Sequence, residues 1–127
     1  MARAKISSTI EIEYETFGDP KNQALILMEG HGAQMVKWDT EYCKMFAAKN
    51  LYVIRFDNRD CGLSTKFDGI EVDLGAVLKA ALLEEPVPPV PYTLSDMASD
   101  VVGLLDYLKI DRAHIFGVSL GGMIAQV

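Results

Sequence analysis

The chain has 127 residues, half of them hydrophobic, and a net charge of −6; its mean hydropathy is +0.13 and its isoelectric point is near 4.8. That much apolar material in a length suited to one domain points to strands covered on both faces, and the acidic balance argues against nucleic acid or an anionic membrane as a partner. No apolar run approaches the roughly 20 residues that span a bilayer.

The first eight residues carry Arg3 and Lys5 but no hydrophobic signal region follows them. Residues 10–15 alternate apolar and charged side chains, the period of a half-exposed strand, and Gly18-Asp19-Pro20 turns the chain. Ala24 to Met28 is a short continuous apolar run, read as a buried strand opening into Glu29-Gly30-His31-Gly32. Trp38, Tyr42, Met45 and Phe46 recur at helical spacing, which predicts a helix over 39–49. Leu51 to Phe56 is a second buried strand, ending in the polar loop Asp57-Asn58-Arg59-Asp60-Cys61-Gly62.

Residues 66–92 differ in character. A short helix is predicted around Leu74, Val77, Leu78, Ala81 and Leu82, and the run Pro86-Val87-Pro88-Pro89-Val90-Pro91 then forms a stiff, extended connector. The segment either lines a pocket entrance or is simply a long connection, and both readings stand. Thr93-Leu94-Ser95-Asp96 has the form of a capping box, and Met97, Val101, Leu104, Leu105 and Leu108 make an apolar stripe for packing on a sheet. An apolar strand over 113–118 closes the series. The succession of strands and helices predicts a mostly parallel sheet with crossover helices; no internal repeat is present. Cys43 and Cys61 stand in neither a disulfide framework nor a metal-ligand spacing, so both read as packing residues in a reduced, cytoplasmic protein that needs no metal or other cofactor.

The last strand runs into Gly117-Val118-Ser119-Leu120-Gly121, a G-x-S-x-G sequence between a buried strand and a helix. In that setting Ser119 occupies the tip of a sharp turn, its hydroxyl lifted clear of the sheet. Gly117 and Gly121 must lack side chains so that strand and helix can pass closely. The competing reading is a glycine-rich turn with a capping serine, as in nucleotide-binding α/β folds. The G-x-G-x-x-G spacing and the Walker lysine of such folds are missing.

Taken together, these segments resemble the N-terminal half of the α/β-hydrolase superfamily, and within it the serine esterases that include the aclacinomycin methylesterases. The carrying residues are Gly30 to Met35 before Trp38, Val53 to Ser64, Pro91 to Ala98, and Gly117 to Met123, in family order across most of residues 9–127. The resemblance implies that Ser119 is the nucleophile and that the backbone N–H groups of Leu120 and His31 are the oxyanion donors. Many relatives carry His-Gly where this chain has Glu29-Gly30. In this fold the triad runs Ser, then Asp or Glu, then His, and residues 120–127 contain none of these acids or bases.

Neither histidine is an obvious substitute. His114 lies five residues before Ser119 on the same strand, about 16 Å away at roughly 3.3 Å per residue. His31 leaves the correct sheet edge; its expected service is through its N–H, with an imidazole base as the alternative. Asp57, Arg59 and Asp60 also sit at a strand end, where substrate binding is one reading and a loop tied together by Arg59 the other.

The expected function is a hydrolase of small-molecule carboxylic esters acting through an acyl-enzyme on Ser119. A serine at the elbow argues against the dehalogenases and epoxide hydrolases of this fold, which use a carboxylate. The chain would be the N-terminal portion, 1–127, of one such domain, and inactive alone. The alternative is a non-catalytic truncated product or binding module that retains the first half of the fold. With the family's next strand missing from these residues, the exposed sheet edge at 113–118 is expected to drive association.

Overall fold

The computed structural model describes residues 2–30, 33–66, 74–84 and 92–127. Its strands are β1 (Ala2–Lys5), β2 (Glu11–Phe17), β3 (Gln23–Met28), β4 (Leu51–Phe56) and β5 (Ala113–Gly117). The helices are α1 (Thr40–Ala47), α2 (Leu74–Leu82), α3 (Leu94–Tyr107) and α4 (Leu120–Ala125), with a 3-10 turn at Met35–Lys37.

The two continuous apolar runs become the interior of the sheet. Strand order is β1-β2-β4-β3-β5; β3 runs parallel to β4 and to β5, while β2 is antiparallel to both β1 and β4. Every strand but β2 therefore points the same way. Parallel neighbours require crossovers, and α1 and α3 supply them on opposite faces. Strand alternation assigns the side chains: Ala24, Ile26 and Met28 of β3 join Ile54, Phe56 and the α3 residues Met97, Val101 and Leu104 in one core. Leu25 and Leu27 face the other way, with Val53, Trp38 and Cys43. Ile26 and Ile54 are fully buried, and burying each such side chain contributes roughly 1.5–3 kcal/mol.

Two features were not expected. β1 pairs Ala2–Lys5 with β2, burying Ala4 while Arg3 and Lys5 face water; a period-2 pattern was present in a segment too short and too basic to stand out. Arg55 lies buried in the otherwise apolar β4. It is paired across the ladder with Glu15, its register partner on β2, and bonds the Trp38 carbonyl. Its charge is compensated where it is desolvated.

The capping box is present, with Thr93 Oγ1 accepting from the Asp96 N–H and the Asp96 carboxylate accepting from the Thr93 N–H. Within 66–92, α2 forms where predicted, while the proline run at 86–91 lies outside the described residues. Among the described residues no helix is long and apolar enough to cross a membrane.

Candidate active site

β5 ends at Gly117, level with Met28 of β3, and the Val118 N–H prolongs the ladder by donating to the Met28 carbonyl at 3.0 Å. The chain then reverses at Ser119, whose backbone takes φ 54° and ψ −119°. A non-glycine residue held there costs about 1–3 kcal/mol and persists only when its surroundings enforce it. Close packing does the enforcing. A methyl group on Gly121 would lie 2.2 Å from the Met28 carbonyl oxygen, and one on Gly117 would lie 2.6 Å from the carbonyl carbon and oxygen of Gly121. Gly122 is different: its nearest contact would be 3.4 Å.

Ser119 stands at the N-cap position of α4, yet its side chain makes no capping hydrogen bond. The residue is exposed. Gly30 faces it from the end of β3, where a methyl group would come within 3.6 Å of Ser119 Oγ. These facts separate the turn from the capping serine of a nucleotide-binding loop.

Leu120 opens α4 beside the serine. His31, the second expected oxyanion donor, lies outside the described residues, as does Gly32. At the His-Gly position of many relatives, the Glu29 carboxylate accepts the Gly30 N–H at 2.8 Å, and the Asn58 side chain donates to the Glu29 carbonyl at 3.3 Å. His114 sits at the far end of β5, its Nε2 lying 3.1 Å from Gln23 Oε1. No histidine among the described residues reaches Ser119.

The loop after β4 builds one wall of a cavity of about 510 Å³ that opens beside Gly30 and Leu120. Asp57 is buried and accepts from the N–H groups of Met35 (2.6 Å) and Leu63 (3.0 Å), which fixes two loops on one carboxylate. Arg59 donates to both oxygens of Asp100 on α3, at 2.6 and 2.7 Å. Those bonds push the guanidinium up from its ordinary value against the opposing effect of burial. Arg59 thus ties its loop to a helix rather than only to itself. Its partner was missed in the sequence, although Asp100 interrupts the apolar face formed by Met97, Val101 and Leu104, which was the available signal. Cys43 is fully buried, and burial raises its thiol; Cys61 is half-buried on the cavity wall.

A slightly larger cavity, about 570 Å³, lies among Gln23, Tyr52, Lys109, Arg112 and His114 at the opposite end of the strands, remote from Ser119. Among the described residues no group of three or more His, Cys, Asp or Glu side chains is arranged to hold a metal ion.

No family model matches the chain. It is 32% identical over 113 residues to the rhodomycin D methylesterase DauP of Streptomyces sp. (strain C5), covering 89% of this chain and 32% of that one. It is 26% identical over 117 residues to 3-oxoadipate enol-lactonase 2 of Acinetobacter baylyi, covering 92% of this chain and 35% of that one. Among solved structures, a hydrolase from Pseudomonas aeruginosa superposes with a TM-score of 0.72 at 29% identity, over 98% of this chain and 38% of its own. The chain spans about a third of the length of the curated relatives it matches. Sheet order, elbow and these likenesses together show the N-terminal part of the α/β-hydrolase fold. Its relatives include esterases, lactonases and other hydrolases.

Proposed function

We propose that the protein hydrolyses small-molecule carboxylic esters with Ser119 as nucleophile. Ser119 Oγ attacks the ester carbonyl carbon and loses its proton to a general base. The N–H groups of Leu120 and His31 hold the developing oxyanion, and loss of the alcohol leaves an acyl-serine for water to cleave. The observation that carries this reading is the elbow itself: an exposed serine with its backbone at φ 54° and no capping hydrogen bond from its side chain, between glycines that admit no side chain. The methylesterase and lactonase names of two relatives support an ester as substrate. Residues 1–127 are then the first portion of a single hydrolase domain. The thiols of Cys43 and Cys61, neither in a disulfide, support a cytoplasmic setting.

The base is the missing element. The described histidine is remote, and residues 120–127 supply no acid or histidine, so the 127 residues alone turn over esters poorly. The second reading is a non-catalytic module that retains the first half of the fold. A fluorophosphonate probe separates the two when the chain is expressed with whatever sequence its gene carries beyond Val127. Fast labelling that maps to Ser119 supports the hydrolase. Labelling that survives Ser119→Ala, or none at all, overturns it.

A further inference from the structure

Gly30 stands where the end of β3 meets the elbow. A methyl group on it would lie 3.2 Å from Ser119 Cβ and 3.5 Å from the Val118 carbonyl oxygen, so a side chain there would crowd the serine. Glycine backbone also turns more freely than that of any other residue, and here that freedom sits beside the proposed reacting atom. Two side chains remove it. The Glu29 carboxylate accepts the Gly30 N–H at 2.8 Å, and Asn58 donates through Nδ2 to the Glu29 carbonyl at 3.3 Å. Both polar atoms of the peptide joining Glu29 to Gly30 are therefore engaged. The same carbonyl abuts the elbow helix, since a methyl group on Gly121 would lie 2.9 Å from its oxygen. Asn58 is only 3% exposed and follows Asp57, whose carboxylate takes the Met35 N–H at 2.6 Å. Adjacent residues after β4 thus hold the chain that leaves β3 at Glu29 and again at Met35.

We propose that Asn58 and Glu29 are positioning residues that lock the Glu29–Gly30 peptide beside Ser119, and through it the oxyanion donor that follows Gly30 in the proposed reaction. A donor stabilises the oxyanion only if it is already aimed where the charge develops. A peptide that turns over exchanges the places of its N–H and C=O, and a carbonyl oxygen beside the developing charge repels it. The steric demand of Ser119 selects glycine, and Asn58 and Glu29 take back the freedom that glycine brings. The inference rests on Ser119 being the nucleophile.

The test uses p-nitrophenyl butyrate hydrolysis and fluorophosphonate labelling of Ser119 on the full-length protein, with the folded fraction taken from denaturant melts. Asn58→Ala should lower kcat and kcat/KM equally, by about ten- to a hundredfold, as a small misplacement of a group acting in the transition state does. Labelling of Ser119 slows in parallel. Glu29→Ala, at a half-buried residue, does the same by a smaller factor and serves if Asn58→Ala does not fold. Glu29→Gln keeps the acceptor and restores most of what Glu29→Ala loses. A purely structural role would lower the folded fraction and leave the folded molecules with parental kcat and parental labelling. That result overturns this inference and spares the nucleophile, as do equal losses in Glu29→Gln and Glu29→Ala. A wild-type protein that neither labels nor cleaves the ester overturns both.

Discussion

β3 and β5 are adjacent parallel strands of similar apolar content, and they meet opposite fates. In register, Ile26 faces Ile115 and Leu27 faces Phe116; the first of each pair is fully buried, whereas Ile115 is 47% and Phe116 39% exposed. Hydrophobicity cannot account for the difference. β3 has strands on both sides, while β5 ends the sheet and its outer edge is unpaired among the described residues. The elbow is therefore mounted on the less covered strand, and its support comes from one side. Val118 bonds Met28, Gly121 packs on Met28, and Gly30 faces Ser119.

The largest expected effect tests what the elbow is for. In a protein that hydrolyses esters, Ser119→Ala should lower kcat by several orders of magnitude, as removal of a triad member does, with little loss of stability. Turnover near the parental rate would mean that the elbow is only a turn.

The next effect tests whether β3 is the support. Gly121→Ala drives a methyl group into the Met28 carbonyl and should destabilise the fold by about 3 kcal/mol or more. Gly122→Ala meets only ordinary contacts and should gain a few tenths to about 1 kcal/mol from helix propensity. Equal effects in denaturant melts would remove the steric account of the motif. Asp100→Asn strips the Arg59 guanidinium of its charged partner in a nearly buried site, and about 3 kcal/mol should be lost.

The open side of β5 has its own consequence. Ile115 and Phe116, on opposite faces of β5, and Val118 and Met123 just beyond it are all exposed, and the unpaired edge they flank is a template for another strand, so the purified 127-residue chain is expected to associate. Phe116→Lys should reduce that association in light scattering at micromolar concentration. A wild-type chain that is a stable monomer there would show that the edge is protected.

How far each region was legible follows the same division. The elbow was read from five residues because its requirements are local: glycines where backbones touch and a serine where the turn reverses. The strands β3 and β4 and the stripe on α3 were equally plain, since apolar run and period state directly what is buried. What escaped depends on partners distant in the chain. Arg55 in a buried strand is explained only by Glu15 across the ladder, Arg59 needed Asp100 from α3, and β1 is a strand only because β2 accepts it. Glu29, noted as a departure from relatives, acquires its role as a backbone acceptor only once the turn into Gly30 is formed.

The smallest effect belongs to α3 and serves as the control, because its cap lies outside the apolar surface of β5. Thr93 and Asp96 satisfy each other's backbone N–H groups, and losing such a cap costs about 1 kcal/mol. Thr93→Ala should lower the free energy of unfolding by that amount without changing association. The pH dependence has a definite sign. Hydrogen bonds from the Thr93 backbone and then its side chain hold the Asp96 carboxyl below its ordinary value, so the folded state favours the carboxylate. That contribution is complete above the unfolded value near 3.8, and it fades as pH falls through that value toward the lowered one. Stability measured from pH 6 down to about pH 3 should fall less steeply in Asp96→Asn than in wild type. If Thr93→Ala instead altered association as strongly as Phe116→Lys, the two sides of the sheet would not be independent, and the contrast between β3 and β5 would have to be traced to a property of the whole fold.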